Sequence, residues 1–468
     1  MVSERPAEVE PKIARVEQIN SVLAKHDLVP HYSLADLGDR TKGEIELERA
    51  GEVFHCGDGL HLVEIYTRLP NDAEAKFITF FRERESLTVQ NLLVPFIKDA
   101  PGNLEMPDDV ASADETLGAI NQQLAQFNLR RLPTIVNSTT ENIVGINRII
   151  DVNSRFFTVV VFQVKDSEGN IIEKPLTFNA NSASGIDGAV FAVICRTPQY
   201  GKEPRFVIGR AYRPNLGGWV TETSRGFYSP RKGGGGPEIR TNVINVPAIK
   251  RALDELSDET GIREVDAMHR MGRLKQDPST DYIYPDIWRV DVETSEFEEQ
   301  DLEASERIKL DFLSFGDYFA AIKEIEDPFT LAALTKALVS RGQLRISRKG
   351  RDAQEKMVYV DKFRFQYGHH MTEFLRGEQN SLPLESDLGQ IAVNSGVARI
   401  VSGIYSGDMT WGAFKGQADQ KDLQRVKLLH PFEAFEAIEQ GKIDDVLTIT
   451  ATIKVLHARG YLELTNLR

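Results

Sequence analysis

The first part of the chain combines one helical pattern with several strand-like segments. A helix is predicted over 8–27 because apolar residues recur there near helical spacing, at Val9, Ile13, Val16, Ile19 and Leu23. The segments HLVEIYTRL and KFITFF, within 43–95, predict strands, and a short helix is predicted over 114–127. These patterns predict an α+β N-terminal domain over 1–145, whose role no motif indicates.

After Arg155 the pattern changes to apolar, β-branched segments separated by turns. RFFTVVVFQVKDSEGN and IIEKPLTFNA predict a strand pair, and GAVFAVICR and RFVIGRAYR are typical of a buried mixed sheet. A helix is predicted from Pro247 to Gly261, since proline suits its first turn and glycine its end. Strands around 283–293 and a helix over 317–340 complete an α/β unit over 150–342.

Part of this unit is repeated later in the chain. FVIGRAYRPNLGGWVTETSRGF at 206–227 aligns without a gap with MVYVDKFRFQYGHHMTEFLRGE at 357–378. A second matching pair begins at Phe315 and Phe432. The period exceeds a hundred residues, which indicates a duplicated domain and not a solenoid. We therefore predict a second α/β unit over 345–468, with a weak helix at 384–395.

Composition narrows the class of protein. The 468 residues include 41% hydrophobic and 27% charged residues, and the net charge is −14. This charge disfavours nucleic acid and anionic membranes as partners. No signal peptide or membrane-spanning segment is indicated, and two cysteines are too few for a disulfide framework, so we expect a cytoplasmic protein.

The predicted helix ending at Gly261 carries the clearest candidate chemistry. Glu255, Asp258 and Glu259 lie at positions i, i+3 and i+4, so their carboxylates share one helix face. Such a cluster suits Mg²⁺ or Mn²⁺, which would position a diphosphate and activate water. A solvated acidic face is the alternative interpretation of the same spacing.

The stretch LDELSDETGI resembles the core of the Nudix box, and Tyr212-Arg213-Pro214 with Glu222-Thr223-Ser224-Arg225-Gly226 resembles the preceding turn of ADP-ribose pyrophosphatases. The resemblance covers roughly 150–340. It implies two α/β/α sandwich domains with mixed sheets, the second degenerate, and Mg²⁺- or Mn²⁺-dependent hydrolysis of a nucleoside diphosphate linked to another group. It implies metal binding by Glu255, Asp258, Glu259 and Glu222, and substrate contacts from Arg213, Arg225, Glu222 and Trp219.

Two departures from the family pattern favour a different function. Asp254 stands where the box has arginine, and the segment aligned with the box in the second copy, Gly389–Val397, lacks the ligand carboxylates. A non-catalytic scaffold or assembly protein, including a homo-oligomer, therefore stays open beside the hydrolase, as does a nucleotide-sensing module. The segment from His55 to His61 contains two histidines and Cys56, but its Gly-Asp-Gly sequence predicts a turn and its spacing matches no metal-ligand pattern.

Overall fold

The computed structural model carries two sheets that share one strand order. It describes residues 9–29, 32–33, 36–38, 44–57, 59–84, 92–102, 114–133, 142–150, 157–166, 168–180, 182–184, 187–201, 203–213, 216, 218–227, 238–239, 247–278, 280–293, 297, 299–300, 302, 308–376, 386–392, 401–417 and 425–465. The architecture is α/β with mixed sheets. No helix of the described ranges combines the length and apolarity needed to cross a bilayer.

The N-terminal region forms two small antiparallel sheets, each accompanied by a helix. Helix α1 (Val9–Lys25) accompanies a four-stranded sheet of β1 (Leu28–Val29), β4 (Glu74–Glu83), β3 (Leu60–Arg68) and β2 (Glu46–Gly57), in that order. Helix α2 (Asp114–Gln126) accompanies a three-stranded sheet of β6 (Asn142–Ile150), β7 (Phe157–Lys165) and β8 (Ile171–Asn179). Both helices were predicted, and α2 begins at its predicted first residue.

The first α/β unit is built on a seven-stranded sheet over the described residues. Its main path runs from β11 (Gly218–Glu222) through β10 (Arg205–Arg213), β9 (Gly188–Cys195) and β16 (Pro285–Val292) to β15 (Ala267–Arg273). Strand β12 (Arg225–Phe227) pairs with β9, and β17 (Ile308–Ser314) pairs with β10. Strands β9 and β16 run parallel and the other pairs antiparallel, so the sheet is mixed.

Helices and a small parallel pair flank this sheet. The helices are α3 (Pro247–Thr260), α4 (Phe315–Ala320) and α5 (Pro328–Ser340), and the pair is β13 (Glu238–Ile239) with β14 (Glu264–Val265). Helix α3 ends where the sequence predicts, because Gly261 has a φ of 70° and its N–H donates to Ser257 O at 2.8 Å. The structure has two helices where one was predicted over 317–340. The side chain of buried Asp327 caps the N-terminus of α5, which begins at Pro328.

The second unit repeats this strand order, again counted over the described residues. Its path is β20 (His369–Glu373), β19 (Lys356–Arg364), β5 (Leu92–Ile97), β23 (Val401–Met409) and β22 (Ser386–Ala392), with β21 (Leu375–Arg376) on β5 and β24 (Val426–Leu429) on β19. The gapless repeat corresponds to strands of equal length, since Arg205–Arg213 matches Lys356–Arg364 and Gly218–Glu222 matches His369–Glu373.

The remaining elements close the second unit. They are α6 (Arg348–Arg351), α7 (Trp411–Gln417), α8 (Pro431–Glu439), α9 (Val446–Ala458) and the pair β18 (Leu344–Ile346) with β25 (Leu462–Leu464). Helices α5 and α9 are each 13 residues long, each follows a capping aspartate, and they pack against each other. One continuous hydrophobic core includes residues of both seven-stranded sheets and both helices.

The sheets divide the chain differently from the sequence prediction. Strand β5, within the predicted N-terminal domain, forms the centre of the second unit's sheet and runs parallel to β23. Strands β7 and β8, assigned from sequence to the first unit, pair with β6 in a separate sheet. The predicted helix at 384–395 is wrong over its described part, since 386–392 is strand β22 paired with β23. Residues 393–400 lie outside the described part.

Candidate functional site

An arginine and a glutamate from adjacent strands form the centre of the candidate site. Arg213 ends β10 and Glu222 ends β11, and the antiparallel register places these strands side by side. The Arg213 Nε donates to Glu222 Oε1 at 2.9 Å and to Oε2 at 3.1 Å, and Nη2 also donates to Oε2. Glu222 is only 3% exposed and the Arg213 side chain is 26% exposed, so this is a partly buried, bidentate ion pair.

The turn after Glu222 is bonded to the start of α5. Arg225 Nη1 donates to Asp327 Oδ1 at 2.8 Å, and its Nη2 lies 3.5 Å from Glu222 Oε2. The backbone N–H of Thr223 donates to Thr330 Oγ1 at 2.7 Å. Asp327 Oδ2 accepts from Thr330 N at 2.8 Å and from its Oγ1 at 2.6 Å, which caps the helix. These contacts fix the turn against the helix N-terminus.

Helix α3 reaches the same turn through Glu259. Its Oε2 accepts from Ser224 Oγ and, at 3.1 Å, from the backbone N–H of Arg225. Burial alone would lower the pKa of Arg213, but the charge and hydrogen bonds of Glu222, with Glu259 nearby, raise it. Arg213 therefore stays a cation that is paired with Glu222.

The network surrounds one small cavity. The cavity has a volume of about 20 Å³ and is lined by residues of β10, β11, the turn, α3 and β17, among them Arg213, Glu222, Ser224, Arg225 and Glu259. A space of this size holds about one water molecule. As the described residues line it, the cavity is too small for a nucleotide.

The structure brings some of the predicted site residues together and leaves others apart. Arg213, Glu222, Arg225 and Glu259 line the cavity. Asp258 is partly exposed on α3, and the Glu255 side chain lies outside the described part. Trp219 is engaged elsewhere, because its Nε1 donates to Glu44 Oε1 at 3.0 Å and its ring packs edge-on against Tyr212.

The described carboxylates do not fit a magnesium ion as they stand. Mg²⁺ takes six oxygen ligands in a near-ideal octahedron. Both oxygens of Glu222 accept hydrogen bonds from Arg213, and Glu259 Oε2 accepts two hydrogen bonds. Among the residues that the structure describes, Glu222, Asp258 and Glu259 do not form a group with ligand atoms within 4.8 Å of one another.

The second unit repeats three parts of this network. Arg364 Nε donates to Glu373 Oε1 at 2.8 Å and Nη2 donates to Oε2 at 2.6 Å. The Phe374 N–H donates to Thr448 Oγ1 at 3.2 Å, and Asp445 Oδ2 accepts from Thr448 N at 3.1 Å. The ion pair, the backbone-to-threonine bond and the capping aspartate all occur twice.

Sequence reasoning missed the structural role of these residues, although a signal was present. The gapless repeat aligns Arg213 with Arg364 and Glu222 with Glu373. The second copy has lost the box carboxylates but keeps this arginine and glutamate. The presence of the pair therefore does not require those carboxylates. Ser224 gave no such signal, because the aligned residue of the second copy is Leu375.

Comparison with known proteins gives limited results. No family model matches the chain, and no curated protein matches it. A solved structure described as an ADP compounds hydrolase aligns with 43% of this chain and 96% of its own, at 15% identity and a TM-score of 0.30. Identity and TM-score are both low, so the interpretation of the site rests on the contacts above.

Proposed function

We propose that the chain is a non-catalytic scaffold built from two copies of a Nudix-type α/β unit. The duplicated network carries this proposal. In the second unit only nine residues, 377–385, separate β21 from β22, which is fewer than the 14 residues of α3. The second network therefore exists where the chain leaves no room for a full-length counterpart of α3, the helix that carries the candidate metal ligands.

The shared contacts do the same physical task in both units. Each ion pair joins two adjacent strands, and each turn then bonds to the N-terminus of a closing helix. Those helices, α5 and α9, pack against each other. In addition, Lys336 Nζ of α5 donates to the backbone oxygen of Ile438 in α8 at 2.8 Å. The network thus supports a common core between the units, which is what a rigid scaffold requires.

Hydrolysis of a nucleoside diphosphate linked to another group is the second candidate. It is favoured by the position of Arg213, Arg225 and Glu259 around one cavity, because arginine binds diphosphate through paired hydrogen bonds. This candidate requires Glu259, which accepts hydrogen bonds from Ser224 and the Arg225 N–H, to bind a metal ion as well.

One experiment separates the two candidates. The full chain is incubated with Mg²⁺ or Mn²⁺ and a panel of ADP-ribose, nucleotide sugars and dinucleotides, and phosphate is measured after a phosphatase step. The scaffold proposal predicts release equal to the protein-free background. Turnover that is lost in Glu259→Gln and kept in Glu264→Gln, an exposed control on β14, would replace the scaffold with the hydrolase.

A further inference from the structure

Two histidines and a glutamate meet at one end of the four-stranded N-terminal sheet. His55 of β2 is paired directly with His61 of β3, so their side chains lie on the same face of the sheet. His61 is also paired with Phe81 of β4. Glu83 lies two residues beyond Phe81 and therefore on that face, and its N–H donates to Gly59 O at 2.9 Å.

The hairpin between β2 and β3 positions the histidines. Gly57 is paired with Leu60, which leaves Cys56 as the extra residue of a bulge, and Gly57 has a φ of 96°. Cys56 is fully buried in a hydrophobic cluster with Phe157 and Val161 of β7. Cys56 is therefore a core residue, and among the described residues its sulfur does not belong to the group formed by His55, His61 and Glu83.

The three donor atoms have the separations of a tetrahedral site. His55 Nδ1 lies 3.2 Å from His61 Nε2, and Glu83 Oε1 lies 3.5 Å from His61 Nε2 and 3.9 Å from His55 Nδ1. Zinc bonds of about 2.0–2.1 Å to nitrogen and oxygen place tetrahedral ligands about 3.3–3.4 Å apart. One ion can therefore contact all three atoms after shifts of a few tenths of an ångström.

We propose that His55, His61 and Glu83 form a binding site for one zinc-class divalent cation, with a water molecule as the fourth ligand. Imidazole ligands select zinc, cobalt, nickel or copper over the harder Mg²⁺ and Ca²⁺. His61 is 6% exposed and anchors the site, while the His55 and Glu83 side chains are 49% and 36% exposed and leave it open to solvent. The ion joins the tip of the β2–β3 hairpin to the end of β4.

The competing explanation of the same distances is a direct hydrogen bond between the two imidazoles, with the Glu83 carboxylate as a nearby ion-pair partner. Metal binding distinguishes the two. Untagged, metal-stripped full-length protein is titrated with Zn²⁺ by calorimetry and with Co²⁺ by visible absorption. We expect one site per chain and the intense d–d bands of four-coordinate Co²⁺.

Three variants complete the test. His55→Ala and Glu83→Gln, both at partly exposed positions, should weaken Zn²⁺ binding at least about tenfold. His269→Ala, which removes an exposed histidine of β15, should leave binding unchanged. Wild-type protein without a saturable site, or equal affinity in wild type and both ligand variants, would overturn the proposal. Glu259→Gln should not change Zn²⁺ affinity, so this result is independent of the hydrolysis assay.

Discussion

Replacement of Glu373 by glutamine tests whether the duplicated network supports the fold. Glu373 is fully buried and both its oxygens accept from Arg364, which is itself only 7% exposed. Glutamine keeps one acceptor oxygen but removes the charge and turns the second position into a donor. The Arg364 guanidinium is then buried as a cation without a compensating anion in this pair.

The expected cost follows from this burial. Removal of one partner of a buried ion pair costs about 3–5 kcal/mol. Because glutamine preserves one hydrogen bond, we expect Glu373→Gln to lower the free energy of unfolding by about 3 kcal/mol. Glu222→Gln should cost less, about 1.5–3 kcal/mol, since the Arg213 side chain is 26% exposed and water partly solvates the cation.

Urea denaturation followed by far-UV circular dichroism and tryptophan fluorescence measures these changes. The matched control is Glu463→Gln, which breaks an exposed ion pair between Arg345 Nε and Glu463 Oε1, 2.7 Å apart. This change should lower the free energy of unfolding by less than about 1 kcal/mol. The double variant Arg364→Met/Glu373→Leu removes both charges and should recover most of the loss. A Glu373→Gln protein as stable as Glu463→Gln would refute the structural role of the network.

Three further predictions concern other buried groups. Burial lowers the pKa of Lys454 to about 8. Between pH 8 and about 10.5 the unfolded chain therefore binds more protons at this residue than the folded chain does. In urea titrations, the free energy of unfolding of wild type relative to Lys454→Met should rise by about 2 kcal/mol from pH 8 to about 10. Burial raises the pKa values of the Cys56 and Cys195 thiols to about 12 and 11, and neither should react with a thiol reagent until denaturant is added. Gly389→Ala should lower the melting temperature, since Gly389 has a φ of 89° and a Cβ there would lie 2.9 Å from Lys323 O; an unchanged melting temperature would contradict this.

Local signals account for the parts of the fold that the sequence predicted well. Helix α3 has proline at its first residue and glycine after its last, and both signals act over a single turn. The gapless repeat corresponds to strands of equal length because each apolar, Arg-ending segment pairs with equivalent neighbours in its own sheet. These features depend on residues close together in the chain, which sequence patterns record.

Strand β22 was mistaken for a helix because its apolar residues do not alternate strictly. The pairing with β23 shifts register between Asp387 and Gln390, and Gly389 sits in this bulge with a positive φ. The bulge moves Leu388 and Ile391 to buried positions at a three-residue spacing, which also suits a helix. Tertiary pairing decided the outcome, and a single sequence does not record it.

The site was predicted less completely than the fold. Spacing predicts Glu255, Asp258 and Glu259 on one helix face, and the repeat aligns Arg213 with Arg364 and Glu222 with Glu373. Neither signal reveals whether a carboxylate is taken by an arginine or left for a metal ion, because that depends on how β11, the turn and α3 meet in space. The sequence around His55 and His61 predicts a turn and not a metal site, because the third side chain, Glu83, comes from another strand, β4.

The position of β5 connects the two units through the chain as well as through packing. This strand precedes the whole first unit in the chain, whereas its neighbours β19 and β23 follow it. The second sheet therefore closes only when residues on either side of the entire first unit come together. The entropy cost of closing this loop grows only with the logarithm of its length, so the long separation is tolerated. The second sheet thus takes its central strand from the far side of the first unit, and a duplicated fold interleaved in this way is better suited to one rigid scaffold than to two independent modules.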